Sequence, residues 1–289
     1  MFIASLIAKP GHLDATLVDT LRNALGGGSA DWLSPDEAAE FPLQTSPANL
    51  EEIRTSITDM ADLNILPTEN RRKKMLLADM DSTMIQQECI DELAEEAGVG
   101  AHVKDITARA MNGELDFEAA LIERVKLLQG LPESVIDKVV QTRITLMPGG
   151  KTLLDTMHAQ GARCVLVSGG FTAFTSRVSA LLGFDENRAN TLLIEDGELT
   201  GEVGRPILGR EAKIQALAEI TARQDITEAD VIAVGDGAND LGMLGRAGMG
   251  VALHAKPSVQ AECDLRVNHG DLTALLYLQG YAKSDFIKT

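Results

Sequence analysis

The chain has 289 residues, 45% of them hydrophobic, and carries 26 Lys and Arg against 43 Asp and Glu, for a formal net charge of −17. That apolar fraction suits a globular protein of one or two domains and excludes a disordered chain. The acidic balance excludes nucleic acid as the main partner, because binding it needs an excess of Lys and Arg along one surface, and no apolar run approaches the ~18 residues of a membrane span.

The opening FIASLIA reads as a strand. It has no basic n-region and no A-x-A-like cleavage site, so a secretory leader is not expected. DATLVDTLRNAL places Leu17, Leu21 and Leu25 on one helix face. GGGSADW reads as a loop, NLEEIRTSITDMA as a helix, and LNILPTENRRKK, with Pro67 and a basic run, as a solvated linker. Residues 1–70 hold no catalytic cluster and are expected to form a small α+β domain, separate from 71–289.

From Lys74 onward, strands and helices alternate. KMLLADM is a strand. Residues 86–146 are then helical without intervening strands, and Gly98, Gly113 and Gly130 stand where helix C-caps belong. PGGKTLLDTMHAQG is a helix, RCVLVSGG a strand, FTAFTSRVSALLG a helix and TLLIEDG a strand. The helix REAKIQALAEI and the strands DVIAVGDG and MGVAL follow. Strands this apolar are buried on both faces, as in a parallel sheet. The pattern predicts an α/β fold: a doubly wound, mainly parallel Rossmann-like sheet with a helical cap inserted after the first core strand.

In such folds ligands bind beyond the carboxyl ends of the strands, and three strand ends are unusually polar: ADMDST, VSGG and VGDGAND. Asp79 and Asp81 are like charges that repel, and burial would protonate them. A divalent cation removes both problems. Magnesium takes oxygen ligands and needs only one or two carboxylates; Asp236 and Asp240 offer more oxygen at a second strand end, and the absence of His and Cys from these motifs disfavours zinc. A carboxylate is also a nucleophile in aspartyl-phosphate chemistry. Asp79 can attack, while Asp81 protonates the leaving alkoxide and later deprotonates water. Ser168, with the Gly169-Gly170 backbone opening a helix, is a candidate phosphate cradle, and Lys213 a fixed positive charge. Each cluster has an ordinary reading on its own: a cap for Asp-x-Asp, a turn for SGG, a solvated helix residue for Lys213. Their order and their placement at strand ends argue for the functional one. PGGKT at 148–152 is not a P-loop, since Thr145 stands where the pattern needs Gly and no strand precedes it. Cys89, Cys164 and Cys263 are odd in number and lie in no C-x-x-C or zinc pattern, which fits reduced thiols in a cytoplasmic protein.

These motifs resemble those of the haloacid dehalogenase-like phosphatases. The first, D-x-D-x-T, stands as Asp79-Met80-Asp81-Ser82-Thr83; the second is Ser168, the third Lys213, and the fourth Gly235, Asp236 and Asp240, in order over about residues 74–260. Within that family DMDSTMIQQECIDELA, MNGELDFEAALIERVKLLQGLP, VSGGF and VGDGANDLGML are similar to the members that act on phosphoserine. The resemblance implies hydrolysis of O-phospho-L-serine, the last step of serine biosynthesis. It implies Mg2+ held by Asp79, the backbone carbonyl of Asp81 and Asp236, with Asp240 in support. It also implies Asp79 as nucleophile and Asp81 as acid and base. Glu88 and Arg124 would hold the amino acid, Met111 and Phe117 would line its pocket, and Asn239 would support the phosphate and metal end. Arg124 lies seven residues from Phe117, about two helical turns, so both fall on one face. Some bacterial members carry an N-terminal module similar to small amino-acid-binding (ACT-like) domains, and the opening strand and helix are compatible with one. Two other readings stay open: a phosphotransferase of the same fold that passes the phosphoryl group to an alcohol such as homoserine, and a receiver module in which Asp79 is only modified.

Overall fold

The computed structural model describes residues 1–111 and 114–288, with residues 110 and 111 described by their backbone alone. The first sheet is built from β1 (Phe2–Ile7), α1 (Ala15–Ala24), β2 (Asp31–Ser34), β3 (Ala38–Leu43), α2 (Leu50–Ser56) and β4 (Asp62–Pro67). Its strands are antiparallel in the order β2-β3-β1-β4. The expected linker is therefore half strand. LNILP alternates sides of a sheet, and Leu63 and Leu66 face two different apolar cores. Pro67, at the strand's last residue, marks its end rather than a loop. The GGGSADW loop likewise gives way to β2 at Asp31.

The second sheet begins with β5 (Met75–Ala78). The cap follows as α3 (Cys89–Glu96), α4 (Gly100–Met111), α5 (Phe117–Lys126) and α6 (Ser134–Thr142), and an Ile85–Leu146 bridge closes its base. Gly98 and Gly130 take the left-handed conformation of helix ends, as expected; Gly113 lies outside the described residues. The core resumes with α7 (Gly150–Ala159), β6 (Arg163–Phe171), α8 (Thr172–Leu182) and β7 (Glu186–Asn190). A hairpin follows, β8 (Leu192–Glu195) and β9 (Glu198–Val203), then α9 (Arg210–Arg223), β10 (Val231–Gly235), α10 (Leu241–Leu244), β11 (Met249–Leu253), α11 (Pro257–Ala261), β12 (Leu265–Val267) and α12 (Ala274–Leu278). The sheet order is β12-β11-β10-β5-β6-β7, parallel throughout. TLLIEDG does form a strand, but outside this sheet. The sheet's edge is instead the polar ENRAN of β7, which no apolar run announces.

Alternation along the central strands explains their composition. Leu76 and Ala78 face one core and Met75 and Leu77 the other; Ile232 and Val234 divide from Val231 and Ala233 in the same way. The chain winds outward from β5 to β6 and β7, then returns to β10 on the other side. The order reverses beside β5, which opens a crevice at the carboxyl ends of β5, β6 and β10.

The first sheet docks on the far edge of the second. The Asn64 side chain exchanges two hydrogen bonds with the backbone of Arg266 in β12, at 2.9 and 2.8 Å. Asp62 accepts from the backbone N–H groups of Asn268 and His269, both at 2.8 Å, and Arg71 pairs with Glu40 at 2.6 Å. Among the described residues, no helix is long and apolar enough to cross a membrane.

Candidate active site

Asp79 is the first residue past β5, and its N–H donates to Val234 O at 3.0 Å, continuing the β5–β10 ladder. A tight turn follows: the amides of Thr83, Met84 and Ile85 all point at Met80 O, at 3.2, 2.8 and 3.1 Å. Ser82 accommodates the reversal at φ 55°, a conformation costly for a residue with a Cβ and frequent where function requires it. The turn aims Asp79 and Asp81 into the crevice. Lys213 reaches the same point from α9. Its Nζ lies 2.6 Å from Asp79 Oδ1 and 2.5 Å from Asp240 Oδ1, with all three side chains buried.

Asp236 and Asp240 come from the loop after β10. Asp240 Oδ2 accepts from Gly237 N at 3.0 Å, so both its oxygens serve to hold the loop and Lys213. Asp236 Oδ1 accepts from Thr83 Oγ1 at 3.2 Å. Oxygens of Asp79, Asp236 and Asp240 lie within 4.8 Å of one another. Three carboxylates thus face one ammonium and two negative charges stay uncompensated. Burial and Asp240 push Asp79 well above the ordinary carboxylate range, against the pull of Lys213. Asp236 is pushed up to about 6 by burial and by Asp240. Burial alone would lower Lys213, but Asp79 and Asp240 override it and hold its ammonium charged. A divalent cation fits: one oxygen each of Asp79 and Asp236 carries no hydrogen bond among the described residues, and magnesium needs one or two carboxylates.

On the other side of Asp79, β6 breaks register with β7 between Val167 and Phe171, so residues 168–170 leave the ladder. Ser168 Oγ accepts from Gly170 N at 2.8 Å and donates to Asp81 Oδ2 at 3.3 Å. Asp81 Oδ1 accepts from Cys89 N, the first N–H of α3, at 2.9 Å. Burial raises the Asp81 carboxyl despite these donors, toward the protonated form a general acid needs.

The cap supplies the remaining groups. Glu88, the N-cap of α3, accepts from Ser82 Oγ at 2.7 Å. It keeps solvent access at the mouth of the crevice. The surrounding atoms, Asp81 and Asp236 push it up to about 7. Arg124 on α5 is half-buried. Its Nε donates to Ala120 O at 3.2 Å, and its guanidinium faces Asp91, Glu88 and Asp81 without a direct ion pair among the described residues. The Phe117 ring lies over Gly169. Asn239 folds back against Gly237 in the β10 loop. Met111 ends α4, and its side chain lies outside the described residues.

The fold thus gathers Asp79, Asp81, Ser168, Lys213, Asp236 and Asp240, with Glu88, Phe117 and Arg124 above them. Sequence reasoning assigned no part to Thr83, which orients Asp236, or to Ser82, which holds Glu88. It passed over Asn190, which ties β6 to the loop before α9. Thr83 and Ser82 stood inside a recognised motif and were findable there. Asn190 ends a polar strand with no local signal.

Residues 76–245 match the family model of the haloacid dehalogenase-like hydrolases. The chain is 38% identical to the phosphoserine phosphatase of Streptomyces coelicolor, over 98% of this chain and 72% of that protein. It superposes on a haloacid dehalogenase family hydrolase from Salmonella enterica serovar Typhi with a TM-score of 0.88 at 32% identity, covering 96% of this chain and 97% of the other. A phosphoserine phosphatase solved as a phospho-aspartyl intermediate analogue matches 71% of this chain and 98% of its own, at 40% identity and a TM-score of 0.66.

Proposed function

The chain belongs to the haloacid dehalogenase-like hydrolase family, and from that premise we propose that it hydrolyses O-phospho-L-serine to L-serine and phosphate through a phosphoryl-Asp79 intermediate. The observation that carries the reading is the pairing of a catalytic and a recognition set across one crevice. Asp79 is pinned by Lys213 below, while Arg124, with no direct acid partner among the described residues, and Glu88 stand above it. Core and cap together match a phosphate, a carboxylate and an ammonium, the three charged ends of the substrate.

An oxygen of Asp79 attacks phosphorus in line with the serine oxygen. Asp81 gives its proton to that oxygen as the P–O bond breaks, and serine leaves neutral at its hydroxyl. Lys213, Ser168 Oγ and the backbone of Gly169 and Gly170 hold the phosphoryl oxygens as their charge redistributes. Asp81, now ionised, takes a proton from water, whose oxygen attacks the phosphorus of phosphoryl-Asp79 and releases phosphate. Bound Mg2+, held by Asp79, the Asp81 carbonyl and Asp236, would neutralise the phosphoryl charge. Asp240 holds Lys213 in register, and Asn239 lies at the phosphate and metal end. Arg124 takes the carboxylate and Glu88 the ammonium, with Phe117 and Met111 beside the serine carbon chain. The three cysteines are buried and unpaired, which supports residence in the reducing cytoplasm.

The test is phosphate release from phosphoserine, phosphothreonine, phosphoethanolamine and a sugar phosphate, with Mg2+ and after chelation. Phosphoserine should lead the panel, chelation should stop turnover and Mg2+ should restore it. A metal-stripped protein with full activity, or one that prefers the sugar phosphate, would defeat the proposal. Mg2+ should also raise the melting temperature, a readout independent of turnover.

A further inference from the structure

Three segments that are distant in sequence meet at the Phe117 ring. One is the bulge of β6. With the ladder broken there, Gly169 O has lost its strand partner, and Asn190 Nδ2 takes its place at 2.8 Å. The second is the loop before α9. The same Asn190 amide donates to Leu208 O at 3.0 Å, and its Oδ1 accepts from Leu208 N at 2.6 Å. One side chain, 2% exposed, therefore fixes the spacing between the phosphate cradle and the backbone that delivers Lys213. The third is the cap, whose α5 begins with Phe117.

Phe117 rests on both of the segments that Asn190 joins. A Cβ on Gly169 would stand 3.2 Å from Phe117 Cζ, and a Cβ on Gly209 would stand 3.2 Å from Phe117 Cδ1. Gly209 is the N-cap of α9, with φ −107° and ψ −151°. Neither glycine adopts a positive φ, so neither position needs glycine for its backbone. A methyl at either site would crowd the ring, which would have to give by a few tenths of an ångström. Two further ties hold α5 over the core nearby. Glu118 pairs with Arg205 at 2.6 Å, and the turn after α5 bonds to β9 through Gly130 N to Leu199 O and Leu199 N to Leu131 O, both 2.8 Å.

We infer that Asn190 and Gly209 are positioning residues. With Gly169 they form a core-side seat for Phe117, which sets the register in which the cap closes and so places Arg124 for a substrate carboxylate. This rests on the phosphoserine reading of the same site. The seat makes a different demand from the chemistry. It must matter for a substrate that engages the cap and much less for an aryl phosphate, which carries neither an ammonium nor a carboxylate.

The experiment uses the full chain with Mg2+ and compares wild type, Gly209→Ala, Phe117→Ala and the double variant on O-phosphoserine and on p-nitrophenyl phosphate. Gly209→Ala should raise KM for phosphoserine about tenfold, the scale of a small misplacement transmitted to a reacting group, and leave kcat/KM for the aryl ester within about twofold. Phe117→Ala removes the ring, Cδ1 included, that the methyl meets, so the double variant should be no worse than Phe117→Ala alone. Equal losses on both substrates, or independent multiplication of the two single effects, would overturn the seat. Asn190→Asp turns two donors into an acceptor facing two carbonyl oxygens. It should raise KM for phosphoserine more than for the aryl ester, and that excess should vanish in the Phe117→Ala background; losses equal on both esters, or a lowered melting temperature with KM unchanged, would make it merely structural. If wild type ignores phosphoserine, the substrate reading fails on its own. The seat is then judged by hydrogen exchange: Gly209→Ala should speed exchange of the α5 amides and fail to speed it further in Phe117→Ala, and unchanged exchange would overturn it.

Discussion

Arg124→Ala tests how the cap reads its substrate. The guanidinium is half-buried, burial lowers its proton affinity, and Asp91, Glu88 and Asp81 raise it. Its only hydrogen bond among the described residues runs back to Ala120 in its own helix. The charged fork is therefore held toward the crevice by nearby negative field rather than consumed by a bridge, and a planar fork suits a carboxylate in a bidentate pair. Breaking such a pair in a desolvated site costs roughly 2–5 kcal/mol. The crevice mouth stays open to solvent at Glu88, so the lower half of that range applies: about 2–3 kcal/mol, or roughly 30–150-fold in kcat/KM for phosphoserine. Phosphoethanolamine has the phosphate and the ammonium but no carboxylate, and its kcat/KM should change less than about threefold by the same reasoning. The assay is steady-state phosphate release on both esters with wild type and variant. Equal losses on the two would show that Arg124 supports the fold or cap closure and does not recognise the carboxylate.

Asp81→Asn removes the proton donor but leaves the Asp79–Lys213 pair, and should slow turnover about 10²–10⁴-fold, the usual range for general acid–base catalysis; a loss under tenfold would refute the role. Glu88 is pushed up to about 7, so its carboxyl is neutral below that pH and charged above it. KM for phosphoserine should therefore fall as pH rises from about 6 to 8, a dependence that Glu88→Gln abolishes, and an ester without an amine gives the control for titration of the phosphate itself. Removing residues 1–70 uncovers the β12 edge and strips Ile7, Leu33, Ala38 and Leu66 from the core they share with α12. A chain beginning at Arg71 should lose on the order of 3 kcal/mol, seen as a melting temperature lower by roughly 6–12 °C, and keep kcat; loss of kcat in a folded truncation would mean that the first sheet helps fix the site.

The cluster of charges at the strand ends was legible because its demands are local. Asp79, Asp81 and Asp236 follow apolar strands directly, and no core-packing reason explains charges at those positions. The parallel sheet was legible for the same reason, through strands such as VIAVG that are apolar on both faces. The parts that escaped are those decided by tertiary pairing. β7 is polar ENRAN, and only its place beside β6 makes it a strand. LNILP became β4 because β1 was available to pair with it, a partnership sixty residues away in sequence. Asn190 was invisible for the same reason: its three hydrogen bonds reach Gly169 and Leu208, about twenty residues away on either side.

The most direct test of the account is the covalent step at Asp79. The purified chain is mixed with phosphorus-labelled O-phospho-L-serine and Mg2+, quenched in acid within one turnover and digested. The label should lie on the peptide containing Asp79, decay at the rate at which phosphate appears, and be absent from Asp79→Asn. Full phosphate release with no labelled Asp79 peptide, or an Asp79→Asn protein that still turns over, would mean that water attacks phosphorus directly and that the buried Asp79–Lys213 pair serves only to bind.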